Sequence, residues 1–112
     1  MRIALVAVHP YPSPQAVPLA NAFLQSYLTA APPTAAVEVA RADFFLSQEP
    51  ADCVEQIAAL QPTLVGFSIY VWNRALCRDI ADELRRRLPG IAIFAGGPEA
   101  TADPYLQFFL DI

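Results

Sequence analysis

Short apolar runs alternate with amphipathic segments along this chain. The first run covers residues 3–8 (IALVAV) and begins beside the N-terminus. A short, continuously apolar run is typical of a central parallel strand that is covered on both faces. The same reasoning predicts further strands at residues 36–40 (AVEVA), 64–70 (LVGFSIY) and 91–95 (IAIFA).

Three helices are predicted between these strands. After a proline-rich loop at 9–14, a helix can begin near Pro18, because proline is tolerated in a first turn. A second helix is expected at 52–60. The third can be capped by Asn73, runs to about Leu88 and pairs its charges at i,i+4. The expected pairs are Asp82 with Arg86 and Glu83 with Arg87.

The alternation of strand and helix predicts an α/β fold. Right-handed crossovers give a flavodoxin-like (Rossmann-type), doubly wound parallel sheet in one domain over 1–112. Its strand order is 2-1-3-4 if the first connection reverses direction, as in flavodoxin-like folds. The chain ends in an apolar stretch at 105–112 (YLQFFLDI) with no strand after it. We therefore expect a domain truncated before its fifth strand. The apolar stretch would cover the fourth strand or pair with a second copy in a dimer.

Composition and charge exclude several functions. Hydrophobic residues form 55% of the chain and charged residues 16%, which is incompatible with disorder. The net charge of -4 argues against a nucleic-acid partner. All seven basic residues are Arg, so no lysine is present for a phosphate loop, a Schiff base or a phosphoacceptor receiver site. Arg85, Arg86 and Arg87 fit a solvated last helical turn and are assigned no ligand.

The sequence gives little indication of a metal site, a membrane span or a signal peptide. Cys53, Cys77 and the single His9 cannot form a four-ligand zinc site without carboxylates, so buried, reduced thiols are expected. The first apolar run is too short for a signal peptide or a membrane span. The sequence thus predicts a cytoplasmic protein without a membrane partner.

Three loops should meet at the carboxyl edge of the sheet, where open parallel sheets bind ligands. They cover 9–14, 68–73 and 96–99. The first carries no Gly-x-Gly-x-x-Gly, and no Asp follows the first or third strand to hold Mg²⁺. Ser68 with Gly96 and Gly97 suits a large flat ligand with a polar tail. Alternatively, Ser68 bonds neighbouring backbone and the two glycines only turn the chain.

The segments LVGFSIYVWN (64–73) and IAIFAGGPEA (91–100) resemble the cobalamin (vitamin B12)-binding N-terminal domains of radical S-adenosylmethionine enzymes. The likeness is to the group around anaerobic magnesium-protoporphyrin ester cyclase, and it covers most of the chain. It implies that cobalamin is the cofactor. It also implies that S-adenosylmethionine and a 4Fe-4S cluster are bound by a C-terminal radical domain of the same polypeptide, outside this chain.

The resemblance also implies a set of cofactor-binding residues. Ser68 and Tyr70 would line a channel for the nucleotide tail, and Gly96 and Gly97 would let it pass. Residues nearer the corrin ring would be Pro98 and Glu99, with Val71, Trp72, Asn73, His9 and Pro10 bordering the same face. Trp72 as a half-wet strand-end aromatic and Glu99 as a charge at a helix start are the alternatives.

One departure concerns cobalt. Methionine synthase and the mutases carry Asp-x-His-x-x-Gly, and its histidine ligates cobalt. Aligning that histidine with His9 places Ala7 where Asp belongs and Pro12 where Gly belongs. Without the carboxylate, His9 lacks the partner that fixes a metal-bound imidazole. We expect a loop-stabilising His9 and no metal ligand, with His9 to cobalt as the alternative.

The predicted function is a cobalamin-binding module that positions the corrinoid for a catalytic domain elsewhere. The Cys-x-x-x-Cys-x-x-Cys motif is missing, so the fragment alone is not expected to be an enzyme. The parent would be a methyltransferase or cyclase. A degenerate, cofactor-free interaction or spacer domain is the alternative. A stand-alone enzyme has little support because no nucleophile–base pair can be assembled around His9.

Overall fold

The computed structural model describes residues 1–10, 26 and 37–97. Within them, four parallel strands form one sheet in the order β2-β1-β3-β4, which confirms the predicted fold class and strand order. The elements are β1 (Arg2–His9), β2 (Glu38–Phe45), α1 (Pro50–Ala59), β3 (Leu64–Ser68), α2 (Arg74–Arg87) and β4 (Ala92–Gly96).

One face of the sheet packs against both helices. Because residues in register on neighbouring parallel strands point the same way, Val6 and Phe67 share this face, which we call the helix face. The core here is fully apolar, and it brings strand side chains against the buried faces of α1 and α2. Its members are Ala4, Val6, Val8, Ala42, Phe44, Cys53, Val54, Ile57, Val65, Phe67, Ile69, Cys77, Ile80, Ala81 and Leu84.

The opposite face of β1 is buried as well. Ile3, Leu5 and Ala7 are nearly inaccessible although they point away from the helix face. This explains why β1 reads as a continuous apolar run, since a central strand has no wet side. The prediction of β1 as a central strand is confirmed.

The predicted bounds of β2 were wrong. The strand runs over Glu38–Phe45 and stays in register with β1 as far as the pair of His9 and Phe45. Its later half alternates exposed Arg41 and Asp43 with buried Ala42 and Phe44. A strand with one buried face shows this alternation, so the polar residues did not end it.

The other boundaries moved less, and the prediction for Asn73 needs correction. β3 ends at Ser68 instead of Tyr70, and α1 spans Pro50–Ala59 instead of 52–60. Asn73 directly precedes α2 as predicted, but its side chain makes no capping hydrogen bond. The amide is instead engaged by backbone groups of the preceding turn, as described below.

Arg86 and Arg87 have acidic partners, as expected of a solvated surface. Arg86 bonds both Asp82 and Glu83, which confirms the first predicted pair. Arg87 pairs with Glu55 of α1, so it ties the two helices together, although Glu83 was predicted as its partner. The proximity of Arg87 lowers the pKa of the Glu55 carboxyl through a hydrogen bond and charge attraction.

Two predicted segments fall outside the described residues. They are the first helix, near residues 18–28, and the apolar stretch at 105–112. The described helices contain none long and apolar enough to cross a membrane.

Candidate functional site

Three small residues form one row across the carboxyl edge of the sheet, where β1, β3 and β4 end. Ala7 lies in register with Ser68, and Ser68 with Gly96, on the face opposite the helix face. Ala7 is buried, Ser68 is half-buried and Gly96 is exposed. This small-residue row therefore opens from the middle of the sheet toward β4.

Gly96 has no close neighbour on its side-chain side among the described residues. A Cβ built on this residue would meet no atom of the described residues within 4 Å, and Gly96 does not have a positive φ. Neither backbone conformation nor packing against the described part of the chain requires glycine here. The space that the described part of the chain leaves beside Ser68 is what a ligand lying across the sheet needs, because a side chain at residue 96 would fill it.

Gly97 has a different reason to be glycine. Its φ is +97°, and a Cβ here would lie 2.7 Å from the carbonyl oxygen of Ile69. The preceding residue accepts a hydrogen bond from Ile69 N–H at 2.8 Å, which continues the β3–β4 pairing beyond Ser68. Gly97 is thus needed by the turn itself, as the simpler sequence interpretation held.

Asn73 holds the strand ends together. Its buried amide nitrogen donates to the carbonyl oxygens of Val8 and Ser68, at 3.2 and 3.1 Å. Its side-chain oxygen accepts from Tyr70 N–H at 2.8 Å. Each polar atom of the amide is therefore engaged within the protein, and Asn73 borders the edge as a brace that joins β1, β3 and the turn before α2.

The turn between β3 and α2 carries a stacked aromatic pair, of which Tyr70 is half-buried and Trp72 is exposed. Tyr70 and Trp72 stack with ring centroids 5.1 Å apart and planes 10° from parallel. Trp72 is 41% exposed, and Val71 between them is 77% exposed. The predicted residues of this loop thus form an apolar surface just beyond the carboxyl end of β3.

His9 lies at the end of β1, on the same face as Ala7, with the exposed Pro10 after it. Its Nε2 is 3.2 Å from Oδ1 of Asp43 on β2, and its ring lies near that of Phe45, with centroids 5.8 Å apart. Asp43 is in register with Ala7, the position at which the aligned motif would carry its carboxylate. A neighbouring strand therefore supplies the carboxylate partner that the sequence of β1 lacks.

Sequence reasoning missed Asp43 and one aromatic residue near the row. The tip of the Phe94 ring lies over Gly66, where a Cβ would overlap it. These two residues are in register, one row below Ser68 and Gly96. The alternation through Arg41 and Asp43 signalled a longer β2, but the pairing of Asp43 with His9 depends on the register of two strands.

The two thiols lie away from this edge. Cys53 and Cys77 are buried in the helix-face core, and burial raises their pKa to about 11 and about 12. Among the residues described, no group of three or more His, Cys, Asp or Glu side chains is arranged to hold a metal ion.

A comparison with protein families decides the assignment. The profile of the B12 binding domain matches residues 24–110, most of the chain. The chain belongs to the B12 binding domain family. The matched region contains both halves of the resemblance noted above, at 64–73 and 91–100, whereas β1 and His9 precede it. The family accounts for the observed strand order and supports cobalamin as the ligand.

Comparisons with curated proteins and with solved structures do not refine this family assignment. No curated protein matches the sequence. A solved structure described as the crystal structure of TesA is similar at 16% identity and a TM-score of 0.45, covering 95% of this chain and 68% of that one.

Of the predicted site residues, Ser68, Tyr70, Val71, Trp72, Asn73, Gly96, Gly97, His9 and Pro10 are described, and each lies at or beside the carboxyl edge. Pro98 and Glu99 fall outside the described residues. The open row at Gly96 fits a narrow ligand segment, and the aromatic surface fits the rim of a large flat one. The small-residue row and the aromatic surface thus suit cobalamin, a large flat cofactor that carries its own metal and needs no metal-binding cluster from the protein.

Proposed function

We propose that this domain binds cobalamin across the carboxyl edge of its sheet, with the nucleotide tail in the small-residue row. The open space at Gly96, in register with the half-buried Ser68, is the observation that carries the proposal. A tail lying on the sheet needs a path without bulky side chains, and Ala7, Ser68 and Gly96 leave one. The family membership of the chain supports the same ligand.

The other residues would act around this path. Ser68 offers a hydroxyl to the tail, while Tyr70, Val71 and Trp72 provide an apolar rim for the corrin ring. Asn73 and Gly97 shape the loops and touch the ligand at most through backbone. His9 and Pro10 would border the β1 side, with Pro98 and Glu99 near the corrin edge.

We further propose that the parent protein is a radical S-adenosylmethionine enzyme of the magnesium-protoporphyrin ester cyclase-like group, either a methyltransferase or a cyclase. The motifs at 64–73 and 91–100 support this. Cobalamin would supply organometallic chemistry such as methyl transfer, and the domain would supply orientation. The 4Fe-4S cluster and S-adenosylmethionine would belong to a C-terminal domain in the cytoplasm.

Two observations test these proposals separately. Titration of the protein with hydroxocobalamin, followed by the visible spectrum and by co-elution in gel filtration, tests cofactor binding. The coding sequence of the parent tests the enzyme assignment, because it should continue into a Cys-x-x-x-Cys-x-x-Cys motif. A parent that binds cobalamin but has no such motif would retain the binding function and lose the radical one.

A cofactor-free spacer or interaction domain is the second candidate. The lack of Asp-x-His-x-x-Gly favours it, since the best-known cobalt-ligating motif is absent. This second hypothesis predicts that the folded protein retains no hydroxocobalamin in gel filtration at any concentration of the cofactor.

A further inference from the structure

The floor of the proposed tail path is an aromatic ring. Phe94 and Gly66 lie in register one row below Gly96 and Ser68, on the same face of the sheet. The row spacing along a strand is about 6.6 Å, twice the rise per residue. A group that enters the small-residue row from the carboxyl edge therefore reaches Phe94 next.

Phe94 occupies this place because Gly66 has no side chain. A Cβ on Gly66 would overlap the tip of the Phe94 ring, so the glycine lets the ring lean across β3. On the other side of Gly66, Leu5 is nearly inaccessible. The ring of Phe94, on the edge strand β4, is in contrast 39% exposed, so an aromatic surface is available there.

We infer that Phe94 is a specificity-determining residue that stacks on the flat aromatic base at the end of the cofactor's tail. The inference rests on the proposed cobalamin function and assigns a part of the ligand to a residue that was not among the predicted site residues. An exposed aromatic surface at the end of a path lined by small residues suits a planar heterocycle, since offset stacking of two rings is favourable.

The test compares two corrinoids, cobalamin and cobinamide, which lacks the nucleotide and its base. Affinities of the full chain for both are measured by visible spectroscopy. Phe94→Leu keeps apolar volume but removes the aromatic ring, and it should lower the ratio of cobalamin to cobinamide affinity about tenfold. Phe94→Trp, which keeps an aromatic surface, should restore most of the ratio. Leu46→Ala is the matched control, because Leu46 is 38% exposed and follows β2 at the far side of the sheet.

The possible outcomes distinguish the stacking role of Phe94 from cobalamin binding by the domain as a whole. An unchanged ratio in Phe94→Leu, with both corrinoids bound, would overturn the stacking role and leave the cofactor function standing. An equal loss for both corrinoids would mean a general structural role for Phe94 and would also overturn the inference. If the unaltered protein binds neither corrinoid, the proposed function fails and the inference fails with it.

Discussion

Asp43 on β2 holds the imidazole of His9 on β1, with Oδ1 and Nε2 3.2 Å apart. The contact joins residues 34 positions apart in the chain and closes the β1 end of the carboxyl edge. His9 is largely buried, whereas the Asp43 side chain is 41% exposed. Asp43 supplies a carboxylate partner, but it engages Nε2 and ties β1 to β2. Only Nδ1, the ring nitrogen nearer the backbone, is left for a metal.

We therefore predict that His9 does not ligate cobalt. Electron paramagnetic resonance of bound cob(II)alamin should show the same nitrogen splitting in His9→Ala as in the unaltered protein. Labelling the protein's histidine with heavy nitrogen should leave that splitting unchanged. A label-dependent splitting that disappears in His9→Ala would establish the imidazole as an axial ligand.

Asn73 should matter more for folding than its position in a loop suggests. Asn73→Ala leaves the carbonyls of Val8 and Ser68 and the N–H of Tyr70 without this partner in a nearly inaccessible place. We expect a loss of roughly 2–4 kcal/mol in the free energy of unfolding, measured with urea. Thr63→Ala, which removes one exposed hydroxyl bond to the carbonyl of Arg2, should change it by less than about 0.5 kcal/mol. Equal effects of the two changes would contradict the brace.

The three glycines near strand ends should respond differently to alanine. Gly97→Ala combines a positive φ with backbone overlap at Ile69 and should cost about 2 kcal/mol or more. Gly90→Ala has a φ of +90° but no described atom within 4 Å of the added Cβ, so about 1 kcal/mol is expected. Gly96→Ala, with neither problem, should be within about 0.5 kcal/mol of the unaltered protein. Urea unfolding that ranks Gly96→Ala as the most damaging would refute this reading of the turn.

The two thiols should make stability fall at high pH. Burial raises the pKa of Cys53 from 9.0 to about 11 and that of Cys77 from 9.0 to about 12. Below pH 9.0 both states keep the thiols protonated, and this contribution is fully present. Above it the unfolded chain releases protons that the folded chain retains, so stability declines progressively as the pH rises toward 11 to 12.

The cysteines provide a control for that prediction. Cys53→Ser with Cys77→Ala should flatten the decline measured by urea unfolding between neutral and alkaline pH. Both thiols should also be unreactive toward a thiol reagent at neutral pH until the protein unfolds. Rapid labelling of the folded protein would contradict their burial.

Sequence patterns were sufficient for the sheet because each apolar run carries its own signal. β1 is apolar on both faces and is predicted directly as a central strand. The order 2-1-3-4 follows only when the first connection is also taken to reverse direction, as in flavodoxin-like folds. Contacts between distant residues could not be predicted in this way. The contact of Asp43 with His9 and the packing of the Phe94 ring over Gly66 depend on which residues are in register on neighbouring strands.

Glycine was similarly ambiguous in the sequence. Gly96 and Gly97 are adjacent and were expected to serve the ligand together, but only Gly97 has a positive φ and a close backbone neighbour. A pattern of two glycines cannot separate a residue required by the turn from one that leaves space. The distinction determines which of them is suited to a binding experiment, since a bulky residue at Gly97 would also disturb folding.

The most direct test of the central claim is therefore a hydroxocobalamin titration of three proteins: the unaltered chain, Gly96→Leu and Ala92→Leu. Ala92 is exposed on the same strand and the same face as Gly96, away from the carboxyl edge, so it controls for the added side chain. The account predicts that the unaltered protein and Ala92→Leu bind alike, while Gly96→Leu binds at least about tenfold more weakly with an unchanged urea midpoint. Absence of binding by the unaltered protein, or equal binding by all three, would contradict a cobalamin site at the small-residue row.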